Sequence, residues 1–421
     1  MVRLNRRAFK EKGGEKFMTL KTRLTTAIAT GAVLLNALAP LALADTNLEI
    51  SGNGAFSDNT AKVNTSNNTT VVQNNDANIK NDVDVKANTG HNDANFNTGG
   101  DTTIMTGDAN ATVKVDNAVN VNKANVSSCC SNDTNVLISG NGAYSDNDVK
   151  LNSSNDVNVF QNNKANVKND VDVKANTGHN DANFNTGGDT TIMTGDANVD
   201  VSLMTLANAN SATVGGSDSA HGTLSARILG NGAYSDNDIK LKFDNDSLIT
   251  QDNRAYIKND VDVDADTGHN DANFNTGGDI DVITGDANVD VMIDNLANFN
   301  AANIDDCGCF SDVLARISGN GAYSDNDIKL KFDNDKSIFQ DNHARLKNDV
   351  DVKADTGRND AEFNTDGDTT VSTGDINSNV DLNNHTNVNL VGQDLSDLLD
   401  LLFGDVEFSF DPSFLFMSHH A

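Results

Sequence analysis

The sequence predicts an all-β protein, an elongated β-solenoid of stacked two-strand coils carried in four repeats of about 89 residues. Three observations predict it. A motif returns at nearly constant spacing, apolar and polar residues alternate inside each repeat, and the repeats contain no proline.

The motif comes first. Gly52-Asn53-Gly54-Ala55 returns at Gly140, Gly230 and Gly319, at spacings of 88, 90 and 89 residues. Self-similarity at a fixed period is the signature of repeat architectures. The chain divides into repeats at 45–135, 136–225, 226–314 and 315–392, preceded by residues 1–44 and followed by a segment at 393–421. Each repeat opens on G-N-G-A-[FY]-S-D-N and later carries Gln-x-Asn-x-Ala, Val-Asp-Val and T-G-x-N-D-A units.

The alternation sets the secondary structure. Val171-Asp172-Val173 has counterparts at Val83/Val85, Val261/Val263 and Val350/Val352. Period-2 alternation in such runs reads as half-buried strand. Clusters such as Asn185-Thr186-Gly187-Gly188-Asp189 supply turn chemistry between runs. A shorter rhythm is superimposed. Asn163/Ala165/Val167 is echoed 17 residues on by Asn180/Ala182/Phe184. That echo predicts a coil closing in about 17–22 residues, several to each long repeat.

Proline supports the same reading. Pro40 and Pro412 both lie outside the repeats, and proline inside would interrupt ladder hydrogen bonds. Disordered tails are usually enriched in proline. The competing ordered architecture is a string of tandem β-sandwich modules, for which about 89 residues is a suitable size. Such modules bury bulky aromatics, whereas each repeat here offers mainly Val, Ile, Ala and a little Phe.

The flanks differ from the repeats. Lys21 and Arg23 precede an apolar run from Ala27 to Leu43, and Ala42-Leu43-Ala44 fits a small-x-small cleavage pattern. This is the pattern of a secretory signal peptide, with cleavage expected after Ala44 and a secreted, extracellular or cell-surface product. No later stretch is long and apolar enough to span a bilayer, so no membrane span is expected once the leader is removed. At the other end, Leu395, Leu398, Leu399 and Leu402 fall at helical spacing, and Val406 to Phe410 alternate like a strand. This segment is expected to be a short helix/strand cap or a docking element.

Charge excludes a class of partner. Acidic residues outnumber basic ones by 61 to 30, a formal net charge of −31. No basic stripe is available to neutralise phosphates, so no nucleic acid is expected. No G-x-S-x-G, H-E-x-x-H or Walker motif is present, and no enzyme is expected.

Three residue sets invite a chemical reading. Asp101, Asp189 and Asp279 close Gly-Gly-Asp turns, and Asp108, Asp196 and Asp286 stand in T-G-D turns. Repeated Asp-bearing turns are candidate Ca²⁺ ligands, since Ca²⁺ takes several oxygens. Cys129, Cys130, Cys307 and Cys309 form two close pairs, candidate disulfide formers in an exported chain. With short coils the two pairs lie about ten coils apart, on the order of 45 Å, so each acts locally or bridges to another molecule. His91, His179 and His269 share one repeat position, but Arg358 replaces them in the last copy. They read as solvated turn residues.

The Asn-x-Ala-x-[Val/Ile/Phe] unit preceded by Gln or Gly, as at Gln161-x-Asn163-x-Ala165-x-Val167 and its counterparts from Gln73, Gln251 and Gln340, resembles the repeat of the curlins, the secreted subunits of bacterial amyloid fibres. It also resembles secreted Asn/Gly-rich bacterial repeat proteins. The resemblance covers about a third of each repeat. It implies a β-solenoid, export and self-association into surface fibres. The 89-residue period and the acidity depart from that pattern, since stacked like charges repel unless cations screen them. Together these features imply a structural element of the cell surface or extracellular matrix: a fibre, stalk or adhesin scaffold. A cation- or ligand-binding adhesin module that does not self-assemble is the alternative.

Overall fold

A computed structural model describes residues 33–38, 45–126, 133–215, 222–305 and 310–392. The expected disulfide formers Cys129, Cys130, Cys307 and Cys309 lie outside these residues. So do the C-terminal segment 393–421, expected to be a cap, and the expected cleavage site after Ala44. Among the described residues there is strand and turn but no helix.

The fold is a parallel β-solenoid, and one full repeat makes one coil. Coil 1 contains β2 (Thr46–Ser51), β3 (Asp58–Asn88), β4 (Thr102–Met105) and β5 (Ala109–Val126). Coil 2 repeats them as β6 (Thr134–Ser139), β7 (Asp146–Asn176), β8 (Thr190–Met193) and β9 (Ala197–Val214). Coil 3 has β10 (Gly222–Leu229), β11 (Asp236–Asp266), β12 (Ile280–Ile283) and β13 (Ala287–Ile304). Coil 4 has β14 (Phe310–Ser318), β15 (Asp325–Asp355), β16 (Thr369–Ser372) and β17 (Ile376–Val391). Each strand pairs in parallel with its namesake in the next coil, giving the sheets β2-β6-β10-β14, β3-β7-β11-β15 and β4-β8-β12-β16. The fourth sheet, β5-β9-β13-β17, gains an edge strand, β1 (Val33–Leu38), paired with β5 from Val33↔Val121 to Leu38↔Val126. These residues belong to the apolar run that reads as the core of the leader.

The coil length is a correction. The 17-residue echo falls within one coil: Asn163 to Val167 lie in β7, whereas Asn180 to Phe184 lie in the corner after it. Alternation specifies which face a residue occupies, not which strand it pairs with. Partner choice is decided by like-on-like stacking, and only residues 88 to 90 apart match all along a strand, as from Gln73↔Gln161 to Asn88↔Asn176.

The long strand β7 alternates over all of its 31 residues. In β7, Asn163, Ala165, Val167, Asn169, Val171, Val173 and Ala175 are buried, while Lys164, Lys168, Asp170 and Lys174 are exposed. At ~3.3 Å per residue the strand has a contour of about 100 Å. The β5-type strand returns against it from about Val157 onward. Val171 and Val173 pack with Val201 and Leu203, and Val157 and Val159 pack with Ala212 and Val214. The β2-type strand covers the first half, where Val136 and Ile138 meet Val149 and Leu151. The interior is therefore a thin two-walled layer, mostly Val, Ile, Leu and Ala, in which Phe243 and Phe299 are also buried.

Asparagine connects the two walls. Asn75 donates to Asn122 (2.7 Å), Asn122 to Asn163 (2.8 Å), Asn163 to Asn210 (2.7 Å) and Asn210 to Asn253 (2.8 Å). The zipper continues through Asn300, Asn342 and Asn389. A buried amide is costly unless its donors and acceptor are met. Here each coil supplies the partners of the next. The same rule explains why Asn recurs at one repeat position: an amide stacks best on an identical amide.

Candidate functional site: the corner ladders

The most chemically distinctive corner follows the long strand, at T-G-[HR]-N-D-A. Three features fold it. Thr89, Thr177 and Thr267 donate through Oγ1 to the carbonyls of Gly107, Gly195 and Gly285, at 2.7, 2.8 and 2.8 Å, tying this corner to the T-G-D corner. Asn92 Nδ2 donates to Thr89 O within its own coil and to Asn180 Oδ1 in the next, a pattern repeated at Asn180 and Asn270. Glycine permits close stacking, since a Cβ on Gly178 would lie 1.9 Å from the Gly268 carbonyl oxygen.

The residue after that glycine adopts a left-handed backbone, with φ of 60°, 58°, 56° and 57° at His91, His179, His269 and Arg358. Because one coil is one repeat, these residues become nearest neighbours along the axis. The imidazoles of His91 and His179 stack at 4.9 Å and those of His179 and His269 at 4.7 Å. Arg358 closes the row, its Nη1 lying 3.2 Å from His269 Nε2. A column of Asp93, Asp181, Asp271 and Asp360 runs beside it, and both columns line one open groove. Burial first, and then the neighbouring carboxylates, push the pKa values of Asp181 and Asp271 above the usual aspartate range.

Asp266 sets the third coil apart from the first two, and coil 4 keeps an aspartate there as Asp355. Its position is Asn88 in coil 1 and Asn176 in coil 2, and those amides lie 3.3 and 3.2 Å from Nδ1 of His91 and His179. The largely buried Asp266 carboxylate accepts from Gly268 N–H (2.8 Å) through Oδ1. Its Oδ2 lies 3.3 Å from His269 Nδ1 and 3.5 Å from His179 Nδ1. Reading the histidines as solvated turn residues missed this, because with short coils they would have been far apart.

The Asp-bearing turns also form columns. Asp101 Oδ1 accepts from Asp189 N–H (3.0 Å), and Asp189 Oδ1 from Asp279 N–H (2.9 Å). Asp108 serves Asp196, and Asp196 serves Asp286, at 3.0 and 2.9 Å. In each column one carboxylate oxygen caps the backbone of the next coil, and the carboxylates stand at exposed or half-exposed corners.

For the cysteines, the described flanks revise one distance. Val126, Val214 and Ile304 are register partners in consecutive coils. Cys129 and Cys130 follow Val126 in the chain, and Cys307 and Cys309 follow Ile304. The described flanks Val126 and Ile304 therefore stand two coils apart, about 10 Å along the axis. The expected figure of about 45 Å assumed a coil of 17–22 residues, whereas the coil is a whole repeat.

Two aromatic ladders complete the corners. Phe56, Tyr144, Tyr234 and Tyr323 stack at 5.0, 5.0 and 5.1 Å, and Phe96, Phe184, Phe274 and Phe363 at 5.0, 5.0 and 4.9 Å. Ring faces inside a ladder are covered by their neighbours, and the terminal rings Phe56 and Tyr323 are the most exposed of their row, at 77% and 81%.

No helix among the described residues is long and apolar enough to cross a membrane. Compared with known proteins, the chain matches no family model, no curated protein and no solved structure. The fold and the corners define a class, a parallel β-solenoid with one coil per repeat and like-on-like side-chain ladders.

Proposed function

We propose that this chain is a secreted, non-enzymatic structural subunit of the cell surface or extracellular matrix, which continues its own ladders from one molecule to the next as a fibre, stalk or adhesin scaffold. The observation that carries this reading is the polarity of the ladders. In the column Asn59, Asn147, Asn237 and Asn326, each side-chain amide donates to the next coil. Donors therefore face one end of the stack and acceptors the other. The glutamine column runs oppositely, from Gln340 through Gln251 and Gln161 to Gln73. Such ends complement each other head to tail, and a head-to-tail contact that does not close on itself grows a filament. The exposed terminal rings extend the same logic, and so does the likeness of the Gln-x-Asn-x-Ala unit to curlins. Removal of the leader would take β1 from the β5 edge and leave that edge open to a second molecule.

Electron microscopy and X-ray fibre diffraction of residues 45–421 test this. Filaments with a ~4.8 Å meridional repeat are the expected result. A monodisperse monomer at every salt and cation concentration would refute it. The second reading, a cation-binding surface adhesin without self-assembly, is favoured by the exposed Asp columns. It expects a higher Tm in millimolar Ca²⁺ than in NaCl of matched ionic strength, with no filaments. Coincident melting curves would remove it.

A further inference from the structure

We propose that His179, Asp266 and His269 form a binding site for a divalent transition metal of the zinc class, bridging coils 2 and 3. The three residues offer ligand atoms that all lie within 4.8 Å of one another. A tetrahedral zinc ion with bonds of about 2.0–2.1 Å holds its ligand atoms about 3.4 Å apart. The Asp266 Oδ2 distances, 3.3 Å to His269 Nδ1 and 3.5 Å to His179 Nδ1, have that spacing. Two imidazole nitrogens and one carboxylate oxygen suit a borderline cation, whereas Ca²⁺ and Mg²⁺ seek oxygen alone.

Two further observations point to a ligand. His269 Nδ1 is buried and makes no hydrogen bond, although the carboxylate oxygen is near. Asn176 Oδ1 is also buried without a partner, while its Nδ2 lies 3.2 Å from His179 Nδ1. Turning this carboxamide over meets no hydrogen bond to Oδ1 that must be broken. It places the oxygen where Nδ2 stands, 3.2 Å from His179 Nδ1, in exchange for the contact that Nδ2 makes there. Asp266 Oδ1 is already fixed by Gly268 N–H, so the second oxygen is held toward the histidines. This is the outer support that orients a ligating group.

One neighbour opposes the metal. Arg358 donates to His269 Nε2, which favours the tautomer carrying its proton on Nδ1. Metal at Nδ1 requires the proton on Nε2, so Arg358 must swing away. It is exposed and has Asp355 within 3.6 Å to turn to. The proposal therefore makes a directional claim: removing Arg358 tightens metal binding.

The test is calorimetric titration of the chelator-stripped full chain with Zn²⁺, with Co²⁺ absorption reporting the ligand geometry. Wild type is expected to bind Zn²⁺ with a tetrahedral Co²⁺ spectrum, and Ca²⁺ or Mg²⁺ not to compete. Asp266→Asn and His269→Ala are expected to weaken the site at least tenfold, Arg358→Ala to tighten it, and His91→Ala to leave it unchanged. Asp266→Asn restores the residue of coils 1 and 2, so the corner has a natural precedent for folding with it. His419 and His420 are common to all variants and cancel in the comparison. The proposal is overturned if Asp266→Asn and His269→Ala titrate as wild type does, or if Arg358→Ala weakens binding.

Discussion

Coils 3 and 4 have almost the same sequence along the long strand, yet their side chains live in different surroundings. Ile239 and Phe243 of β11 are 0% and 3% exposed; their register partners Ile328 and Phe332 of β15 are 42% and 55% exposed. The inward face, the alternation and the facing wall are equivalent. Among the described residues, what differs is a coil on both sides rather than on one. Burial in this fold is thus supplied largely along the axis, by the identical residue above and below. Stability is accordingly a property of neighbouring coils, as in other repeat proteins.

Matched substitutions in the two coils sharpen that comparison. The largest difference is expected for Ile239→Asp against Ile328→Asp. A carboxylate at Ile239 has no partner and no water, and the cost is about 4 kcal/mol or more. At Ile328 it reaches solvent and the cost is about 1 kcal/mol. Urea unfolding of the two variants measures this, and equal losses would mean that the end coil is covered in solution.

Next come Phe243→Ala and Phe332→Ala. Deleting the buried ring is expected to cost about 3–4 kcal/mol, and deleting the half-exposed ring about 1 kcal/mol. Thermal melts followed by circular dichroism rank the pair. Head-to-tail assembly should raise the cost at Phe332 toward that at Phe243, so comparing soluble and assembled forms joins the two readings.

Glycine tests the backbone rather than the side chains. A Cβ on Gly268 would lie 2.0 Å from the Gly357 carbonyl oxygen, whereas on Gly357 it meets only Asp355 Oδ1 at 3.5 Å. Gly268→Ala is expected to destabilise by about 2–3 kcal/mol and Gly357→Ala by less than about 0.5 kcal/mol. Hydrogen exchange of the corner amides locates the disturbance.

The smallest effect concerns charge. Local desolvation, then Asp148, Asp236 and Asp58, hold the Asp146 pKa above the usual range. The folded chain therefore binds that proton more tightly than the unfolded chain does. Its contribution to stability is complete below the unfolded pKa and is lost as pH rises through the folded one. Asp146→Asn is expected to raise Tm by about 1 °C at pH 7 and to leave it unchanged at about pH 3. An equal shift at both pH values would assign the effect to something other than ionisation.

The fold class was legible because alternation and proline absence report directly on strand faces and ladders. The pairing distance was legible too, since the spacings 88, 90 and 89 are those spanned by the stacked hydrogen bonds at Gln73/Gln161, Gln161/Gln251 and Gln251/Gln340. The closing length of the coil was misread. Asn163/Ala165/Val167 and Asn180/Ala182/Phe184 share only a short pattern, whereas T-G-H-N-D-A-N-F-N-T-G-G-D is identical in three repeats. Near-identity over a whole corner is the stronger sign of direct stacking, because each residue must fit its own copy. The count of about ten coils between Cys130 and Cys307 rested on the same short coil. The histidine row was hidden by the same error, and the change from Asn176 to Asp266 was its one available signal. Sequence cannot show that this change meets two imidazoles, since that depends on which coils adjoin.

The spacings differ by one or two residues, and the register shows where the difference is absorbed. From β6 to β9 the offset to coil 3 stays at 90, and from β2 to β5 the offset to coil 2 stays at 88. The length varies in the links between coils, as between Val214 and Leu224. An insertion of one residue within β7 would send every later side chain of that strand to the wrong face. The gain or loss of a complete coil would leave every ladder in register. Evolution of such a chain is therefore quantised: its links can drift in length, its coils can be copied or dropped whole, and little in between survives.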